Sequence, residues 1–76
     1  MSYILQSVLL NRNRFTLSQA VKYMEIHNLK VKKVDETEHF YRFRQVAPST
    51  LMKQGYNKMR TKVIVPGEVE FIFAYK

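Results

Sequence analysis

Apolar residues crowd positions 3–10, YILQSVLL, almost without a break, then recur at helical spacing, and alternate with polar residues further along. A continuous apolar run too short for a good helix, followed by the polar NRNR, predicts a strand buried on both faces and central in a sheet. The next segment carries helix punctuation. Thr16 and Gln19 stand at capping-box spacing, and Phe15 precedes the cap as a hydrophobic staple against Ala20. Leu17, Ala20, Val21 and Met24 form one stripe, from which Ser18, Lys22 and Glu25 fall away. Asn28 sits where a left-handed residue ends a helix, with Leu29 as the apolar residue that follows.

Beyond the helix, LKVKKVDETEHFYRFRQV predicts two strands around an acidic turn. Val31–Val34 is the shorter strand, Asp35-Glu36-Thr37-Glu38 supplies the turn, and residues 39–46 form the longer strand. Ala47-Pro48-Ser49 breaks it, and a short helix through Leu51 and Met52 ends at Gly55. RTKVIVPGEVEFIFAYK closes the chain as two strands about Pro66-Gly67.

Register in that hairpin decides where its cations point. A two-residue loop puts Arg60 and Lys62 on the face of Phe71 and Phe73; an odd loop, or a bulge near Gly67, reverses the match. The odd loop is the expectation, with Arg60 and Lys62 sharing a face with Glu70 and Ile72. The order strand, helix, strand, strand, short helix, strand, strand predicts an α+β two-layer sandwich. Its sheet is mostly antiparallel, one main helix packs on one face, and residues 1–76 make a single domain.

Charge changes the picture more than composition does. The chain is 46% hydrophobic, which suits a packed domain, but its 13 Lys and Arg against 6 Asp and Glu leave a net +7. Nucleic acid, DNA or RNA, is the commonest partner of so basic a small domain, with anionic membranes and acidic proteins next and charge carried for solubility alone as the plain alternative. The HFYRFRQ run at 39–45 sharpens this. Alternation separates Tyr41 and Phe43 from Phe40, Arg42, Arg44 and Val46. With Tyr41 and Phe43 under the helix, Arg42 and Arg44 lie on the open face, and the odd-loop register brings Arg60 and Lys62 there too. Four cations with Phe40 among them would hold phosphates and a stacked base. The polyanion reading requires Arg42 and Lys62 to emerge together; on opposite sides of the molecule they would end it, whatever the overall charge. The plainer alternative is a solvated face on which Glu68 and Glu70 neutralise Arg60 or Lys62 across strands. Arg12 and Arg14, in the loop before the helix, are a second candidate phosphate site at its N-terminus, with a solvated loop as the alternative. Lys30, Lys32 and Lys33 are expected to pair with the neighbouring DETE segment.

Little supports catalysis. The sequence has 2 His, no Cys and only 2 Gly, so no metal-ligand spacing, cofactor loop or nucleophile motif is expected, and the chain reads as non-enzymatic. His27, near the end of the helix, suits a dipole partner better than a general base. Absent cysteine suggests an intracellular setting, in host cytoplasm or nucleus or in a virion. The N-terminal apolar run is too short to span a bilayer and lacks a preceding positive segment, so no membrane partner is expected.

The run IHNLKVKKVDETEHFYRFRQ, then RTK at 60–62 and a last strand ending AYK, resembles a group of small uncharacterised proteins. These belong to large double-stranded DNA viruses and tailed phages, and similar segments occur beside phage head-maturation protease domains. The likeness runs from Phe15 onward; Asn28 and Leu29 stand where the group has glycine and an aromatic residue, and Asn still permits the left-handed turn. The resemblance implies a viral origin, with genome handling or a structural niche in the virion as its roles, and carries no catalytic or binding residue with it.

Two functions compete. Phosphate binding by Arg42, Arg44, Arg60 and Lys62 predicts a log–log salt slope of roughly −3 to −4. Strand addition at weakly protected edges, Val31–Val34 or the C-terminal AYK, predicts virion or host protein partners, or a homo-oligomer that adds buried area.

Overall fold

A computed structural model describes residues 3–76. The elements in chain order are β1 (Tyr3–Asn11), α1 (Leu17–Ile26), β2 (Val34–Glu36), β3 (Phe40–Arg44), α2 (Pro48–Lys53), β4 (Lys58–Val65) and β5 (Val69–Tyr75). All five strands join one antiparallel sheet in the order β2-β3-β1-β5-β4. The fold is α+β, as the hydrophobic pattern predicts, and the apolar first strand is its centre.

Local signals set α1. Thr16 Oγ1 accepts from the Gln19 amide at 3.2 Å while the Thr16 amide donates to Gln19 Oε1 at 2.9 Å, completing the capping box. Asn28 takes a positive φ of 56°, and the Leu29 amide donates to the Met24 carbonyl at 2.8 Å, closing the helix as a Schellman turn. Ala20 and Met24 are fully buried with Val8, Leu10, Tyr41, Phe43 and Val69. α1 thus covers β1, β3 and the Val69 end of β5. Leu17, expected on the stripe, is 44% exposed, and the Phe15 ring meets Tyr23 edge-on at 6.0 Å.

On the other side, the residues before α2 are tied to the sheet: the Gln45 and Val46 amides both donate to the Gln6 carbonyl, at 2.7 and 3.4 Å. α2 starts at Pro48, ends before Gly55 with φ 86°, and buries Leu51. Its following turn reaches the end of β5, where Lys76 Nζ lies 5.0 Å from the Tyr56 ring centre.

Only the second half of the acidic segment, Thr37 and Glu38, lies in the turn. Asp35 and Glu36 lie inside β2, which begins at Val34, three residues later than the pattern suggests. Their carboxylates have partners there: Asp35 Oδ2 meets Arg44 at 3.3 Å and Glu36 Oε2 meets Arg12 at 3.5 Å. Thr37 makes the turn instead, its hydroxyl donating to the Phe40 carbonyl at 2.9 Å and accepting from the Phe40 amide at 3.0 Å.

Two bulges set the faces. Gln6 is an extra residue in β1, because Leu5 pairs with Phe73 but Ser7 pairs with Ile72. Ile64 is an extra residue in β4, because Val65 pairs with Val69 but Val63 pairs with Glu70. Both edges are now identified. β2 is one, as expected near Val34; β4 is the other; the C-terminal AYK segment is interior, since β5 lies between β1 and β4.

Candidate nucleic-acid interface

Directly paired residues of antiparallel strands share a face, so the register places every cation. Lys62 pairs with Phe71, Phe71 with Val8, and Val8 with the core residue Phe43. Lys62 therefore lies on the α1 side, and Arg60, paired with Phe73, lies there with it. Arg42 pairs with Leu9, which pairs with Glu70, and Arg44 pairs with Ser7; both arginines lie on the far side. The predicted cluster of Arg42, Arg44, Arg60 and Lys62 is split between opposite faces, so the polyanion case as drawn from the sequence fails: the surface on which it depended does not form. The cause is arithmetical. The hairpin does have an odd loop, Pro66-Gly67-Glu68, but the Ile64 bulge adds a second one-residue shift, and the two cancel.

The far-side arginines are also occupied. Arg42 Nε donates to Ser7 Oγ at 3.2 Å and Nη2 donates to Gln6 Oε1 at 3.3 Å, while Ser7 Oγ donates to Gln6 Oε1 at 2.7 Å. Gln6 and Ser7 are 1% and 0% exposed, so Arg42 serves a buried polar network at the β1 bulge. Arg44 is held by Asp35, and its Nε is buried without a hydrogen-bond partner. Phe40 pairs with Asn11 at the end of the same face.

Arg12 is likewise structural. Its Nη1 donates to the Thr37 carbonyl at 2.6 Å, its Nη2 pairs with Glu36, and its guanidinium lies 5.6 Å from the Tyr41 ring centre. This clamps the β2–β3 turn onto the end of β1. Arg14 is exposed beside a shallow groove with Asn13, Thr16 and Gln19, where the Thr16 and Gln19 amides are engaged by the capping box. Arg12 is thus taken up by structural contacts, while Arg14 keeps an exposed side chain beside the helix start. The Lys30 amide and Nζ both bond Gln45, so Lys30 does not pair with the acidic segment.

β4 and β5 offer a different arrangement. Three rungs on the α1 side set a cation directly across from an aromatic ring: Lys58 opposite Tyr75, Arg60 opposite Phe73, and Lys62 opposite Phe71. The Gln6 bulge turns Tyr3 and Leu5 to this side as well, where Tyr3 meets Phe73 at 6.4 Å and Tyr75 at 5.4 Å. Lys58 Nζ is 5.9 Å from the Tyr75 ring centre. The rings of β5 are half-buried, and every β4 residue is exposed. The register that splits the expected cluster also removes its neutralising carboxylate, because Glu70 pairs with Val63 on the far side. Among the described residues, no ion pair involves Lys58, Arg60 or Lys62. Lys58, Tyr75, Phe71, Phe73 and Tyr3 escape sequence reasoning as site residues. Their common signal, basic residues at every second position of 58–62 answered by aromatics at every second position of 71–75, is legible once the register is known.

Among the described residues, no three His, Cys, Asp or Glu side chains gather as a metal site, and no helix is long and apolar enough to cross a membrane. No protein-family model matches the chain, no curated protein is detectably similar to it, and no solved structure matches its fold.

Proposed function

We propose that this chain is a small non-enzymatic nucleic-acid-binding domain, and that its binding face is the α1 side of β4 and β5. The observation that carries this is the set of three cation–aromatic rungs, Lys58–Tyr75, Arg60–Phe73 and Lys62–Phe71, on β4 and the part of β5 beyond Val69, with Phe71 bordering the core under α1. Cations that no carboxylate neutralises attract phosphates, and adjacent rings suit bases, so one surface meets both parts of a nucleotide. The net charge of +7 supplies long-range attraction. Viral genome handling, within a host cell or a virion, is the setting suggested by the VDET…YRFRQ…RTK resemblance.

Fluorescence anisotropy of a labelled oligonucleotide through a salt series tests this. Three phosphate contacts to a single strand predict a log–log slope of about −2. Absence of binding at low salt removes the proposal.

One observation favours a second function. β4 is an eight-residue edge strand with all its residues exposed, including Val63 at 55%. An acidic, extended segment of a virion or host protein could add to that edge by strand pairing, with its carboxylates against Lys58, Arg60 and Lys62. Binding of such a peptide, with no affinity for nucleic acid, would favour this function over the first.

A further inference from the structure

A groove of about 640 Å³ opens at β4, lined by Tyr3, Phe73, Arg60 and Lys62 from the same face and by Thr61 and Val63 of the alternate positions of β4. We propose that this groove is a base-binding slot, and hence that the face takes single-stranded rather than duplex nucleic acid. The inference rests on the nucleic-acid function proposed above and deepens it by naming the ligand class.

The slot has the chemistry and size of a nucleotide site. Its volume falls within the roughly 300–1,000 Å³ usual for small-molecule pockets, enough for a base and its sugar. One wall is aromatic: the Tyr3 and Phe73 rings stand 6.4 Å apart at 86°, forming a corner rather than a closed stack. A planar guest in that corner lies against one ring and meets the edge of the other. The rest of the lining is β4, where Arg60, directly paired with Phe73, and Lys62 border the slot and would reach phosphates flanking a bound base.

Duplex nucleic acid cannot use this corner. Paired bases are stacked on one another and expose edges, not faces, so a duplex on this sheet gains phosphate contacts alone. A single strand gains phosphate contacts and stacking together. The spacing of cations also suits an extended strand. Lys58, Arg60 and Lys62 recur every second residue, a repeat of about 6.6–6.8 Å along a strand, so successive rungs meet successive nucleotides. The three rungs correspond to a footprint of three nucleotides.

The test compares four ligands on the full chain at low salt by anisotropy: a labelled ten-nucleotide single strand, the same strand as a duplex, an abasic strand of equal length, and a poly-glutamate peptide. The slot predicts that the single strand binds at least tenfold more tightly than either the duplex or the abasic strand. It also predicts that Tyr3→Leu and Phe73→Leu each weaken the single strand by roughly five- to a hundredfold while leaving the duplex unchanged. Tyr3 lies at the exposed margin, which keeps one variant informative if Phe73→Leu unfolds the sheet. Equal affinity for single strand, duplex and abasic strand overturns the slot but leaves a phosphate-binding face. Binding of poly-glutamate alone, or of none of the four, overturns the slot and the nucleic-acid function together.

Discussion

β3 and β4 both carry cations at alternate positions, two on β3 and three on β4, and use them in opposite ways. On β3, Arg42 is drawn into the hydrogen bonds of Gln6 and Ser7, and Arg44 into a pair with Asp35. On β4, Arg60 and Lys62 face half-buried rings and stay outside every ion pair among the described residues. Position in the sheet explains the contrast. β3 lies between two strands, so its far-side cations meet donors, acceptors and carboxylates from both neighbours; β4 has a neighbour on one side only. Charge near the middle of a sheet becomes part of the architecture, and charge at a free edge remains available to ligands.

The strongest way to break this contrast is to neutralise β4. The triple variant Lys58→Gln, Arg60→Gln, Lys62→Gln is expected to abolish oligonucleotide binding at low salt, with the urea midpoint unchanged. Retained binding would assign the ligand to another face. Next in size, Arg42→Leu should cost about 1–3 kcal/mol in urea denaturation, because a charge-assisted donor is lost from a buried network. Its folded fraction should bind oligonucleotide like the parent, and a selective loss of binding would erase the division of labour. Arg44→Gln is expected to cost less than about 1 kcal/mol and to show a smaller effect at high salt. Its pair with Asp35 is more than a third exposed on the Arg44 side, and the orphaned Nε offsets part of the gain. Arg14→Gln should move neither stability nor affinity; a clear loss of affinity would restore the loop before α1 as a phosphate site.

The same contrast explains what could be read from the chain before its fold. The cap, stripe and left-handed end of α1 are fixed by residues within a few positions of one another, so Thr16, Gln19 and Asn28 announce them. The central burial of β1 follows from its unbroken apolar run, and the burial of Tyr41 and Phe43 from their alternation with arginine. The proposed face depends instead on parity carried over long stretches. An odd loop at Pro66-Gly67-Glu68 is readable, but the Ile64 bulge that undoes its effect has no marker in a run of β-branched residues. The Gln6 bulge is just as silent, and it brings Tyr3 to the aromatic side. Asp35 and Glu36 mislead for a related reason: acidic residues suit a turn, but here arginines across the sheet and in the β1–α1 loop hold them in a strand.

The free edge of β4 has a consequence for self-assembly. A second copy could align antiparallel along it in one of two parities. The parity that continues the ringed surface across the seam sets lysine and arginine opposite lysine and arginine, which repel at such close approach. The other parity turns the newcomer over and hides its platform on the reverse side. Electrostatic repulsion thus discourages the pairing that would continue the ringed surface into a second copy.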